Sequence, residues 1–340
     1  MTTRPEPPTE RPAQARDPNA PLFRLAVDEG AGAPLASASG DVAGGSADGA
    51  YSWVSQLSTL VAYQILERGT IGEAHLTESM AALDGRNGAS STYRSTPEWL
   101  RAFLDSARAG TPTPTVDQSL APSGRMGPIG VWFRRDPSGL VEAAIAASRV
   151  THVDASSVAV ASAVAGSVAG ACFAMQGRDL LLGASETAGV ALERLAADSY
   201  EFAGMARANQ VPERIRRLVE IVDRPAVEIV GALSDDNGPH GLDGAYLAMV
   251  LGAARTADPV RMIEVGAMSG GSLVGSITGS IVGARAGLMR WPWRVPNENW
   301  FAEIGRRLMA HNSEVRDLPV PAAVEEGMLA GWADGSVPAG

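Results

Sequence analysis

The run Gly266–Gly287, GAMSGGSLVGSITGSIVGARAG, decides how this 340-residue chain folds. From Gly271 a glycine returns every fourth residue, at Gly275, Gly279 and Gly283, so these positions share one face of a helix. Glycine lowers helix propensity, so a helix that keeps four of them on one face keeps them for close approach of another backbone. Ser269, Ser272, Ser276 and Ser280 stand among them and add little bulk. The stretch therefore reads as a packing helix inside a body of closely set helices.

Composition agrees. Hydrophobic residues make up 45% of the chain and aromatics 5%, while alanine and glycine are abundant and β-branched runs are short. That balance favours one large all-α domain, a compact orthogonal multi-helix bundle. All 28 basic residues are arginine, which marks a GC-rich, bacterial coding bias. The net charge of −10 and the lack of a basic run argue against nucleic acid as a partner. The single cysteine, Cys172, excludes an internal disulfide and a multi-cysteine zinc site, and reads as a small buried hydrophobe. No charged-then-apolar leader opens the chain and no run reaches about 18 consecutive apolar residues, so a cytoplasmic protein with no membrane partner is expected.

Residues 1–20, proline-rich and charged, are expected to be a disordered tail. Residues 21–318 form the single helical domain, and 319–340 a weakly ordered C-terminal tail. Within the domain, a short first helix is followed by a Gly/Ser-rich loop from about Ser37 to Asp48. Helices are expected over Tyr51–Arg68, Thr70–Leu83, Pro97–Ala107, Leu140–Arg149, Asp154–Met175, Ser185–Ala208, Val211–Val222, Ala226–Leu233, Asp243–Arg255, Val260–Met268, Gly271–Ala286 and Asn299–Ala310. The segment Gly110–Gly127 reads as loop.

Four short motifs in order carry a family resemblance. Leu22–Leu35, LFRLAVDEGAGAPL, is similar to an opening GLAxGDALGAPxE; Ser52-Trp53-Val54-Ser55-Gln56-Leu57 stands at a TDDTxL helix start. Gly124–Gly130, GRMGPIG, resembles an MRxxPIG turn, and Thr151-His152-Val153-Asp154 a TH-x-D segment. With the closing IVGAxxG run these resemble the ADP-ribosylglycohydrolase family of the dinitrogenase-reductase-activating type. The resemblance implies the all-α fold of that family and a centre where aspartates and a glutamate hold two divalent metal ions. The departures fall on those carboxylates. Trp53 and Val54 replace the TDDT pair, Ala36 stands at the glutamate, and Gly270 and Ser272 stand at the two late aspartates. None of these side chains offers an anionic ligand to a hard dication, so no metal and no cofactor are expected.

What remains as a candidate site is metal-free. His152 keeps its family position beside the substrate cavity and is the first candidate acid or base, against a plain reading as a buried histidine ahead of the next helix. Asp28, Glu29 and Asp154 are the candidate acidic partners, Asp154 with the alternative of an N-cap. Trp53 either plugs the vacated space or stacks on a planar ligand, with Ser55 beside it. Arg125 is a candidate contact to a phosphate or carboxylate, against a structural ion pair. Ser269, Gly270, Gly271 and Ser272 open a helix whose free N–H groups suit an anion. Asp235–His240, DDNGPH, reads first as a turn. Three functions fit. One is metal-independent acid–base chemistry on a small organic substrate, of the kind used in bacterial specialised metabolism. Another is a ligand-binding pseudoenzyme, and the third a regulatory or interaction partner. Residual ADP-ribosyl hydrolysis is the least favoured.

Overall fold

The structure, a computed structural model, describes residues 30–45, 50–85, 93–235, 237–255 and 258–333. Among these residues the chain is helical, and extended contacts are confined to isolated bridges. The first helices are α1 (Ala33–Ala43), α2 (Trp53–Arg68), α3 (Glu73–Gly85) and α4 (Glu98–Arg108). A 3₁₀ turn, Ala121–Arg125, leads into α5 (Gly127–Trp132), α6 (Pro137–Arg149) and α7 (Ala155–Ala171). Then follow α8 (Gly177–Ala197), α9 (Met205–Ala208), α10 (Val211–Arg217), α11 (Ala226–Leu233) and α12 (Asp243–Ala253). The long α13 (Pro259–Ala286), α14 (Glu298–Ala310) and α15 (Pro321–Ala333) close the chain.

The glycine stripe packs as its spacing requires, and its partner is α1. A Cβ built at Gly275 lies 2.3 Å from the Gly40 carbonyl oxygen, and one at Gly279 lies 2.1 Å from that of Ala36. At Gly283 the same atom lies 2.6 Å from the oxygen of Gly32. The two main chains thus touch along their length, which a side chain on either would prevent. Ser37 and Ser276 share a hydrogen bond of 2.8 Å across the seam, and Ser39 returns its hydroxyl to the Leu35 carbonyl. The serines and glycines of 37–43, expected as a loop, are therefore helix; they are small because the seam is tight. By length and composition α13 is apolar enough to cross a membrane, but 61% of its apolar window is buried inside this fold. The expected break before Gly271 is a kink: Gly270 (φ −140°, ψ 16°) and Gly271 (φ 69°, ψ −165°) leave helical geometry, and only glycine tolerates the second easily.

The alanine-rich α7 is buried almost all round at the centre and packs on α8, α6 and α5. The expected Ser185–Ala208 helix begins earlier, at Gly177, and ends at Ala197; α9 restarts after Gly204, whose φ is +73°. Within the expected weakly ordered tail, Pro321–Ala333 form α15, and 334–340 lie outside the described residues. Its Glu325 is 2% exposed and accepts hydrogen bonds from Tyr51 Oη (2.8 Å), Gln56 Nε2 (3.0 Å) and Arg94 Nη1 (2.7 Å). The inward face of this helix joins Val324 and Met328, packed on the core, to the buried charge-assisted network of Glu325, and an acidic residue in that face hides it from apolar patterning.

Candidate functional site

Tertiary packing brings the separate motifs to one region. A Cβ built on Gly124 in the 3₁₀ turn lies 2.8 Å from Val54 Cγ1 and 2.6 Å from Leu273 Cδ1. The start of α2, the turn carrying Arg125 and the kink of α13 therefore converge, and apolar side chains fill the meeting point. Ser272 donates its hydroxyl to the Asp41 carbonyl oxygen at 2.9 Å, tying the kink to α1.

Asp41 is the residue that sequence reading missed. It is fully buried, and its Oδ2 accepts from Ser52 N (2.9 Å), Ser55 N (3.1 Å) and Ser55 Oγ (2.7 Å). A carboxylate on α1 thus caps the N-terminus of α2, where the helix dipole favours an anion. Burial pushes its carboxyl above the usual range, and the serine hydrogen bonds oppose that shift. Ser55 is therefore occupied by Asp41. The available signal was Gly40-Asp41-Val42-Ala43-Gly44, which carries the glycine–aspartate order of the GDALG motif that Leu22–Leu35 lacks. In that register the closing glutamate falls on Asp48, which lies outside the described residues, and not on Ala36, which faces Gly279 and Gly283.

His152 sits in a short extended stretch between α6 and α7. Thr115 N donates to Thr151 O (2.8 Å), Val153 N to Thr115 O (2.9 Å) and Ala203 N to Val153 O (2.9 Å), so strands of loop clamp the histidine on both sides. The ring is 0% exposed. Its Nδ1 lies 2.9 Å from Thr151 Oγ1, and its Nε2 has no partner. Burial, with the Arg125 charge nearby, pushes the imidazole down to about 3, so it stays neutral at ordinary pH. The Trp99 ring stands edge-on to it at 4.7 Å, and Trp53 stands edge-on to Trp99 at 5.3 Å. Both indoles are half-buried, so Trp53 neither fills a sealed core nor lies free on the surface.

Arg125 is 1% exposed. Its Nη2 donates to Thr151 Oγ1, while Nε and Nη1 have no partner. Burial lowers the guanidinium to about 10. Asp154 is the N-cap of α7: Oδ1 accepts from Ser157 N (2.8 Å) and Ser157 Oγ (2.9 Å), and Oδ2 pairs with Arg207 at 3.0 Å. Its oxygens serve helix and ion pair rather than a cavity. Ser269, Gly270, Gly271 and Ser272 are half-buried at the kink. Asp235 and His240 form an exposed pair at 2.7 Å in the expected turn. Asp28 and Glu29 lie outside the described residues. A gap bounded by Ser37, Ser55, Ser58, Thr59, Pro128 and Phe301 has room for about one water molecule.

The ADP-ribosylglycohydrolase family profile matches residues 8–318. Among curated proteins none matches the chain. A solved structure described as an ADP-ribosylglycohydrolase-related protein complex is similar in fold, with a TM-score of 0.60 and 18% sequence identity. The match covers 85% of this chain and 99% of that one. With the profile spanning nearly the whole length, this chain belongs to the ADP-ribosylglycohydrolase family.

Proposed function

We propose that this chain is a non-hydrolytic member of its family, a pseudoenzyme that keeps the scaffold without the binuclear metal centre and works by binding. One observation carries the reading: Val54 and Leu273 pack on Gly124 where the motifs converge, and the residues beside them in sequence include Trp53, Gly270 and Ser272. That set does not fit two divalent cations, which need several anionic oxygens. Ser272 already gives its hydroxyl to Asp41 O, and Asp48 would be a single carboxylate. No group of three or more His, Cys, Asp or Glu side chains comes together among the described residues. Acid–base catalysis by His152 has little support, since the ring is sealed and titrates far below neutral. A partner-binding role is the second reading. Met268 and Val227, each 77% exposed on packed helices, favour it, as does the similar structure's description as a protein complex.

Calorimetric titration with Mg²⁺ and ADP-ribose, beside an ADP-ribosyl hydrolysis assay, tests the proposal. The expected result is no stoichiometric Mg²⁺ binding and no turnover. Two Mg²⁺ per chain with turnover would overturn it.

A further inference from the structure

The C-terminal helix α15 lies beyond residues 8–318, the span that the family profile matches. Its chief helix contact is α2, and its inward face is short. Ala322, Val324 and Met328 pack against the core, and among them Glu325 sends its carboxylate to Tyr51, Gln56 and Arg94. The connection before it is pinned to α14, where Arg307 pairs with Asp317 at 2.9 Å and Trp300 Nε1 donates to Pro319 O at 3.0 Å. Release of α15 therefore starts after Pro319 and needs no other helix to leave its place. An element with so small an apolar face belongs to the less stable part of a fold.

Arg94 is where that helix meets the tryptophan pair. Its guanidinium lies 2.7 Å from the Glu325 carboxylate, stands over the Tyr51 ring at 4.4 Å, and donates through Nε to Tyr51 O at 2.6 Å. Its main chain carries the coupling onward. Arg94 N donates to Gln56 Oε1 at 3.0 Å, and Arg94 O accepts from Trp53 N at 3.0 Å. The next residue, Ser95, has a φ of 53°, in the left-handed region that residues other than glycine adopt at a cost. Pro97 then stands at the N-cap of α4, whose first turn carries Trp99. Both indoles thus depend on one residue, Trp53 through Arg94 O and Trp99 through the strained turn that follows.

We propose that α15 is a latch on the Trp53–Trp99 pair, with Glu325 as a positioning residue that acts through Arg94. Seated, Glu325 matches the Arg94 charge and holds the Ser95 turn in its strained form. Released, it leaves a largely buried guanidinium without that acid, which is costly inside a protein, so the turn relaxes and the start of α4 moves with Trp99. This adds a means of regulation to the binding reading above. It is tested on the protein alone, without ligand or metal, so either can fail without the other.

The test is hydrogen exchange of the full chain, followed in peptides covering 50–56, 94–104 and 321–333, with α7 as the internal reference. Glu325→Ala should speed exchange at least about tenfold in 321–333 and raise it in the other two, leaving α7 unchanged. Met328→Ala, which removes the sulfur 3.2 Å from Tyr51 Oη but keeps both charges, should give the same pattern in smaller degree. Release of 321–333 with 50–56 and 94–104 unmoved overturns the proposal, since α15 would then be only a docked tail. An equal rise in α7 also overturns it, as a general loss of stability, and so does an undisturbed 321–333. Should Glu325→Ala not fold, Met328→Ala decides by the same criteria.

Discussion

The α1–α13 seam and the Trp53–Trp99–His152–Arg125 cluster lie in one domain but are built on opposite terms. The seam uses the smallest residues, and carbonyl oxygens stand where side chains would go. Its hydroxyls are satisfied, Ser37 by Ser276 and Ser272 by Asp41 O. The cluster uses the largest residues, and three of its buried nitrogens have no partner. A seam of main chain cannot give way, whereas a half-buried indole can turn aside. Rigidity therefore lies in the seam, and unmet hydrogen-bonding capacity lies in the cluster.

The largest effect that would break this contrast belongs to the seam. Gly279→Val places a Cβ 2.1 Å from the Ala36 oxygen, and destabilisation of about 4 kcal/mol or more, or failure to fold, is expected in a thermal melt. A mild loss would show that α1 can slide away.

Next comes the pH dependence of the cluster. The folded His152 pKa of about 3 lies below the ordinary 6.5, so on acidification the unfolded chain takes the proton first. Its contribution is complete above pH 6.5 and disappears as pH falls towards 3. At pH 4 the parent should have lost about 3 kcal/mol more than His152→Gln, relative to pH 7. Asp41, whose pKa is raised, acts in the opposite direction but is common to both proteins and cancels. Parallel curves from denaturant titrations would mean that the ring is wetter than the structure shows.

Trp53→Ala comes third, with a loss of about 2 kcal/mol, below the 3–5 of a sealed aromatic because the indole is half-buried. A loss under about 1 kcal/mol would favour the ligand-stacking role and more than about 3 the plug. Asp235→Asn, removing an exposed pair outside both regions, should leave Tm unchanged within error and serves as the control.

Much of the fold was legible because helix periodicity is local. The glycine face of α13, the break at Gly270–Gly271 and Asp154 as a cap follow from spacing and side-chain chemistry. The order of α1 was not legible: Ser37, Ser39 and Gly40 have loop composition, and only contact with Gly275 and Ser276 makes that composition helical. Asp41 was missed for the same reason, since a residue read as loop was not weighed as a buried cap. In α15 the inward face of Val324 and Met328 is interrupted by Glu325, whose burial follows only from Tyr51, Gln56 and Arg94 in remote parts of the chain.

The sequence by itself determined the family and the all-α architecture, since each follows from residue identity and short-range spacing. Tertiary structure alone decided that His152 is sealed and that Arg125 lacks a counter-ion. The physical reason is that burial and partnership depend on what distant segments place around a side chain. Thr115, Trp99, Thr151 and Ala203 reach that one small volume from well-separated parts of the sequence.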